Sequence, residues 1–337
     1  MAGSNEAGDS VVNPFRAFVK AVVPSSLRFT LRVQASAVRT RGIVWSLRWN
    51  QMLAVAWLRD KLNRRRFTHL SETDARARRR SDTVFVFGSG YSLHDLTPAE
   101  WAHVAEHDVF GFNQFFYQRW VRTDFHLLRG SNYGELRWRP YAHEVQGILG
   151  DHRCYKDAVF VLQEGYFAQF SNQLIGYGLL PASARVLRFR ANRTDGPPTR
   201  SLSEGLRHQG GTIADVVNCA FCLGWTHIVL VGVDLYDTRY FYLPPDKTVA
   251  LDPASAMITG VEYNPIRGQR FDQPHNTVRL GIVDVMGEWR EWLEAAGVHL
   301  SVYNPESLLA DTLPVYKGPA RIMSNSRTRS MTGTGNE

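Results

Sequence analysis

The sequence predicts an α/β fold: a mostly parallel, Rossmann-like sheet with flanking helices and a lid segment. Three observations carry this. Short β-branched and aromatic runs recur between Thr83 and Val302 and alternate with helical stretches. The first run, Thr83–Phe87, opens straight into a glycine turn, Gly88-Ser-Gly90. The clearest run, His227–Val233, follows an apolar helical stretch over Gly210–Leu223 and ends on Asp234-Leu235-Tyr236.

Residues 1–14 are small and polar and read as disordered. Residues 15–80 form a basic N-terminal segment with 16 Lys/Arg against 3 Asp/Glu. Its net +13, with −2 from residues 1–14, leaves −4 for 81–337 out of the formal +7. Trp45, Trp49, Met52, Leu53, Trp57, Leu58 and Leu62 recur at three- and four-residue steps, the pattern of one or two amphipathic helices. Such a helix suits either an anionic membrane surface or docking on the body. No nucleic-acid-binding motif accompanies it. Arg76–Arg80 (RARRR) reads as a linker before the first strand of the body, 81–317.

Within the body, Pro98–His107 is an expected helix, Asp108–Phe112 a strand ending at Asn113, and Thr123–Leu128 the next strand. Val159–Leu162 and Arg185–Phe189 are further strands, and 192–205 is a turn-rich loop. Thr212 is the expected N-cap of the Gly210–Leu223 helix. Residues 237–275, punctuated by Pro and Gly, read as a lid. Thr277–Ala296 is an expected helix capped by Asn276, Val298–Val302 the last strand, and the tail from about 318 disordered. There are three cysteines, and Cys219-x-x-Cys222 sits in an apolar helical run, so both read as buried small hydrophobes. No signal-peptide start and no apolar run of about 18 residues is present, which sets the expectation of a cytoplasmic protein.

In parallel sheets ligands bind at the carboxyl ends of strands. That rule gathers Gly88, Ser89, Gly90, Ser92, Asn113, Arg129, Asp234 and Tyr236 at one edge. The glycine turn lacks the third glycine of a dinucleotide fingerprint, and Asn113 stands where the ribose-binding acid belongs, so an NAD enzyme is disfavoured while a nucleotide still fits. No Asp-x-Asp metal motif appears in the body.

These segments, in order, resemble the bacterial sialyltransferases of glycosyltransferase family 42, the Campylobacter-type enzymes. The carrying stretches are VFVFGSGYSL, DVFGFNQFFY (108–117), GGTIADVVNCAFCLGWTHIVLVGVDLY (210–236), QPHNT (273–277) and VYNPESLLAD (302–311), spanning roughly 83–315. The resemblance implies a single-domain GT-A-like variant of the fold. It also implies inverting, metal-independent transfer of sialic acid from CMP-sialic acid to a glycan or glycolipid, with no cofactor beyond the donor. It casts His275 as general base and Tyr236 and Tyr242 as donors to the departing phosphate, Tyr240 being the alternative to Tyr242. Gly88, Ser89, Gly90, Ser92, Asn113, Arg129, Thr212 and Asp234 fall to the nucleotide, with Asp234 also read as ordering its turn. Arg129 replaces the family's asparagine and Gln209, near Arg207 and His208, replaces its arginine; Tyr91 replaces its proline. Arg129 keeps open another CMP-activated acidic sugar, Kdo-like, as donor. The glycine-serine start also looks like a pterin pyrophosphokinase, and the basic segment leaves open a non-enzymatic membrane-surface protein. The resemblance and that segment together set the expectation of an enzyme on the inner face of a membrane, possible as a homo-oligomer.

Overall fold

Strand β2 is the pivot of the sheet in this computed structural model, which describes residues 25–129, 145–147, 149, 153–236, 239–242 and 275–318. The expected disorder of 1–14 and of the tail past 318 lies outside the described residues, as does the lid from 243 to 274. In chain order the elements are α1 (Ser25–Arg41), α2 (Ile43–Asn63), β1 (Thr68–Leu70), α3 (Glu72–Arg76), β2 (Thr83–Phe87), α4 (Pro98–Ala105), β3 (Asp108–Phe112) and β4 (Phe125–Leu128). Then come β5 (Val159–Gln163), α5 (Gln169–Gly176), β6 (Arg185–Phe189), β7 (Ala191–Asn192), β8 (Leu206–Arg207) and α6 (Thr212–Leu223). The chain closes with β9 (His227–Val231), α7 (Asn276–Arg279), α8 (Ile282–Ala295) and β10 (His299–Val302).

Eight strands pair in the order β1-β6-β5-β4-β3-β2-β9-β10, every neighbour parallel. From β2 the chain winds outward through β3 to β6, then returns to β9 and β10 on the other side of β2. The winding direction therefore reverses between β2 and β9, and a crevice opens at such a point. Both sheet faces are covered, which is why these strands are continuous apolar runs. Val84, Val86, Ile228 and Leu230 face α3, α6 and α8, whose Ala214, Val217, Met286 and Trp289 join one core. Phe85, Phe87, Val229 and Val231 face the other way, onto Leu93, Val104 and Phe115.

Several sequence expectations need correction. The 80/81 boundary does not separate two units, because β1 adds to the sheet beside β6. Residues 76–80 are not a linker: Arg76 ends α3 and donates to Cys222 O, and Arg80 pairs with Asp124 at 2.8 Å and Asp108 at 3.4 Å. The helix expected over Thr277–Ala296 is broken at Gly281, which takes a φ of 77°. His275, not Asn276, caps its first turn. Gly211, not Thr212, is the N-cap of α6, and Thr212 is its first residue.

The N-terminal segment docks on the body along one face of α2. Trp49, Leu53, Ala56 and Asp60 are buried there. Trp49 Nε1 donates to Gln169 Oε1 at 3.4 Å and Asn63 Nδ2 to Gly176 O at 2.7 Å. Asp60 is 1% exposed and meets Arg64 at 3.0 Å and Arg188 at 3.2 Å. Gly176 permits this approach, since a Cβ there would stand 2.8 Å from Arg59 Cβ. No helix among the described residues is long and apolar enough to cross a membrane. Cys219 and Cys222 are buried thiols, and burial pushes Cys222 up to about 12, which agrees with a packing role.

Candidate active site

The glycine turn that leaves β2 is stitched to the turn that leaves β9. Gly88 N–H donates to Val231 O at 2.8 Å and Gly90 N–H to Gly232 O at 2.7 Å. A Cβ on Gly88 would stand 2.5 Å from Gly232 O, and one on Gly90 2.7 Å from the same oxygen and against the Asp234 carboxylate. Both glycines are therefore demanded by the approach of two backbones. Ser92 N–H and Oγ both donate to Asp234, and Asn304 Nδ2 donates to it at 3.1 Å. Asp234 is 3% exposed. Two residues expected on the nucleotide thus bind each other, and Asp234 fixes three chain segments at the switch point.

Segment 239–242 lies across this turn. Tyr240 forms an antiparallel bridge with Gly90, Phe241 N–H donates to Ser89 O at 3.2 Å, and His94 Nε2 meets Phe241 O at 2.9 Å. Phe241 is buried beside Phe115. Tyr242 stacks on Tyr117, with ring centroids 4.6 Å apart. Tyr240 is the ring that reaches His275: its hydroxyl is 2.9 Å from Nε2. Burial pushes the Tyr240 hydroxyl up to about 12, so at neutral pH it keeps its proton and can donate.

His275 is held from three sides. Its N–H donates to Leu235 O at 2.7 Å, its Nδ1 is 2.7 Å from Thr277 Oγ1, and Thr277 N–H points at the same nitrogen from 3.2 Å. Two tautomers fit this geometry. With the proton on Nδ1, Thr277 Oγ1 accepts it and Nε2 has a lone pair for the Tyr240 hydroxyl. With the proton on Nε2, Nδ1 accepts Thr277 N–H as a helix cap and Nε2 donates to Tyr240. Only the first leaves a base at Nε2. Burial lowers the His275 pKa, so the ring is neutral near pH 7. Tyr236 is half-buried in the turn that follows Leu235.

Among the described residues, two non-glycine residues adopt a left-handed backbone, Asn113 with φ 48° and Leu235 with φ 63°. They follow the carboxyl ends of β3 and β9, so backbone strain gathers at the edge that carries the site. Asn113 O accepts from His126 Nε2 at 3.0 Å, while Asn113 Oδ1 is buried without a hydrogen-bond partner among the described residues. The start of α6 also borders the site, since a Cβ on Gly211 would stand 3.1 Å from Thr277 Cγ2. Among the described residues nothing hydrogen-bonds the half-buried Thr212 hydroxyl.

Arg129 leaves β4 into a buried cluster that sequence reasoning missed. Its Nη1 contacts the Asp215 carboxylate and is 2.6 Å from His208 Nδ1, which is 3.0 Å from Asp215 Oδ2. Burial alone would raise the Asp215 pKa; Arg129 and His208 outweigh it and hold the carboxyl below its ordinary value. Burial first, and then Arg129, lower that of His208. Asp215 lies in the first turn of α6, and its partner Arg129 is 86 residues earlier, so no local signal marks the pair. Arg207 is engaged with Pro197 O and Asn192 Oδ1, and Gln209 Nε2 with Asp195. Among the described residues one group gathers potential metal ligands: His103, Glu106 and His107, beside the start of β3 at the opposite edge of the sheet. Comparison with protein-family models, with curated proteins and with solved structures finds no match.

Proposed function

We propose that the chain is an inverting, metal-independent glycosyltransferase that moves sialic acid from CMP-sialic acid to a hydroxyl of a glycan or glycolipid. The observation that carries this reading is the His275–Tyr240 pair at the switch point of a parallel sheet: a neutral imidazole held by Thr277, facing a protonated phenol. In the reaction, His275 Nε2 takes the proton of the acceptor hydroxyl. The freed oxygen attacks the anomeric carbon from the face opposite CMP. The bond from that carbon to the phosphate oxygen breaks, and its electron pair leaves with CMP. Tyr240 turns from His275 to donate to the phosphate, with Tyr236 as a second donor, since preformed donors matter most where charge develops. The orphaned Asn113 Oδ1 offers an acceptor for a nucleotide amino group. The α6 start, with the Thr212 hydroxyl, suits an anion.

Tyr240 takes the role that the family resemblance first gave to Tyr242. Asp234 and Ser92 take positioning roles, because they satisfy each other. Arg129 faces Asp215 and His208, so it gives a Kdo-like donor no added support. Cytoplasmic placement, peripheral on a membrane, belongs to the same reading. Incubation with CMP-sialic acid and galactosyl acceptors should release CMP; no turnover together with no CMP binding would overturn the proposal. His275→Ala should lose transfer by about 10²–10⁴-fold and retain CMP affinity. Normal turnover by that variant would remove His275 from the mechanism.

A further inference from the structure

Helix α2 is apolar on two opposite faces, and the body covers one of them. Ser46, Trp49, Leu53, Ala56 and Asp60 are buried, the apolar members against α1, α5 and the 166–167 turn. At 3.6 residues per turn, Val44, Leu47, Val55, Leu58 and Leu62 stand on the opposite face. They are 60%, 67%, 40%, 53% and 70% exposed. Cations flank the stripe: Arg48 on one side, Lys61 and Arg65 on the other, all exposed. Residues 25–66 hold ten Lys/Arg against one acid, Asp60, which is buried and paired with Arg64 and Arg188.

We propose that this face of α2 docks in the interface of an anionic lipid bilayer. Exposed leucines and valines gain by entering the acyl boundary, and the flanking cations gain from anionic headgroups. Charge decides against the other occupants. A second copy would bring one strongly basic face against another. A nucleic-acid backbone would satisfy the cations but leave the leucine stripe in water. The helix lies on the surface, since no described helix is apolar enough to span a membrane. Its first half reaches the carboxyl side of the sheet, where Tyr166, in the turn that leaves the carboxyl end of β5, hydrogen-bonds Asn50 O at 3.0 Å; its last turn meets Gly176, at the end of α5. Membrane docking would hold the candidate active site near lipid-linked acceptors. The docking surface itself stands whether or not that site transfers a sugar.

The test is flotation of the full chain with vesicles, without nucleotide. The chain should float with phosphatidylglycerol/phosphatidylcholine vesicles and much less with phosphatidylcholine alone. The Leu47→Gln/Leu58→Gln/Leu62→Gln variant should bind the anionic vesicles about tenfold or more weakly, with an unchanged urea midpoint because these side chains are exposed. Arg48→Gln/Lys61→Gln/Arg65→Gln should weaken binding and flatten its salt dependence. Failure of the wild-type chain to float, or unchanged binding by the leucine variant, overturns the proposal. A wild-type dimer that the leucine variant abolishes assigns the face to a second copy and also overturns it. So does duplex DNA binding that matches the vesicle binding and survives the leucine substitutions.

Discussion

Two groups of residues meet at the carboxyl edge of the sheet, and they differ in what they leave unsatisfied. In the Gly88–Ser92 turn the N–H groups of Gly88, Gly90 and Ser92 go to Val231, Gly232 and Asp234, and Asp234 also takes the Ser92 hydroxyl and Asn304; the half-buried Ser89 hydroxyl stays unbonded among the described residues. The rim formed by Asn113, Thr212, Tyr240 and His275 is open. It holds a buried orphan oxygen, a hydroxyl unbonded among the described residues, two left-handed residues at Asn113 and Leu235, and an imidazole–phenol pair that can exchange partners. Most of the motif that resembles a phosphate loop is therefore spent as scaffold, and the groups proposed to react sit beside it. Structure is spent where backbones must touch, and chemistry where groups remain free to meet a ligand.

The largest effect that should separate the two comes from Asp234. Asp234→Ala strands the Ser92 N–H and hydroxyl and the Asn304 amide in a buried turn, at a cost of about 3–5 kcal/mol. Urea unfolding would measure it. A loss below about 1 kcal/mol would mean that Asp234 does not hold the turn in the way described. His275→Ala should instead cost stability on the scale of the ring's lost hydrogen bonds to Thr277 and Tyr240, about 1–3 kcal/mol, while removing activity.

The next contrast is between two tyrosines. Tyr240→Phe removes the hydroxyl that faces His275 and should lower kcat by about 10–100-fold, or about 1.4–2.7 kcal/mol of barrier. Tyr242→Phe leaves its stacking on Tyr117 intact and should lower kcat by a smaller factor than Tyr240→Phe. Steady-state kinetics on both variants decides it, and equal losses would return the role to Tyr242.

How much of this could be read in advance follows from the range of each interaction. Thr83–Phe87, Asp108–Phe112 and Arg185–Phe189 were legible to the residue, because β-branched and aromatic residues cluster in each over a strand's length, even where β6 carries Arg185 and Arg188. β1 was not: Thr68–Leu70 has three residues and follows Arg64–Arg66, so composition hid it in the basic segment. α5, Gln169–Gly176, is fully buried yet rich in Gln, Asn and Ser, and its partners come from α2, more than a hundred residues earlier. At the site, the edge was legible from the strand ends, but not which tyrosine reaches His275, since that is fixed by the Gly90–Tyr240 bridge across the chain. Asp215 was invisible because its meaning depends on Arg129, 86 residues away.

The smallest effect tests the buried cluster that neither group contains. His208 has its pKa lowered by burial and by Arg129, against the opposing pull of Asp215. Above an unfolded histidine pKa of about 6.5, folded and unfolded chains both carry it neutral, and it contributes no pH dependence. As the pH falls below that value the unfolded chain binds the proton first, so stability declines until the folded pKa is reached. His275 is lowered by burial in the same sense and adds to the same slope. Unfolding free energies followed from pH 7 to pH 5 should therefore fall for the wild-type chain. His208→Gln removes one of those protons and should reduce the slope by at most about 1.4 kcal/mol per pH unit. Identical slopes in the two proteins would mean that His208 titrates alike in both states and that Asp215 offsets its burial. If His275 is the base proposed, the acid limb of activity should follow it and keep its position below about pH 6.5 in both, so the two histidines can be told apart by which curve moves.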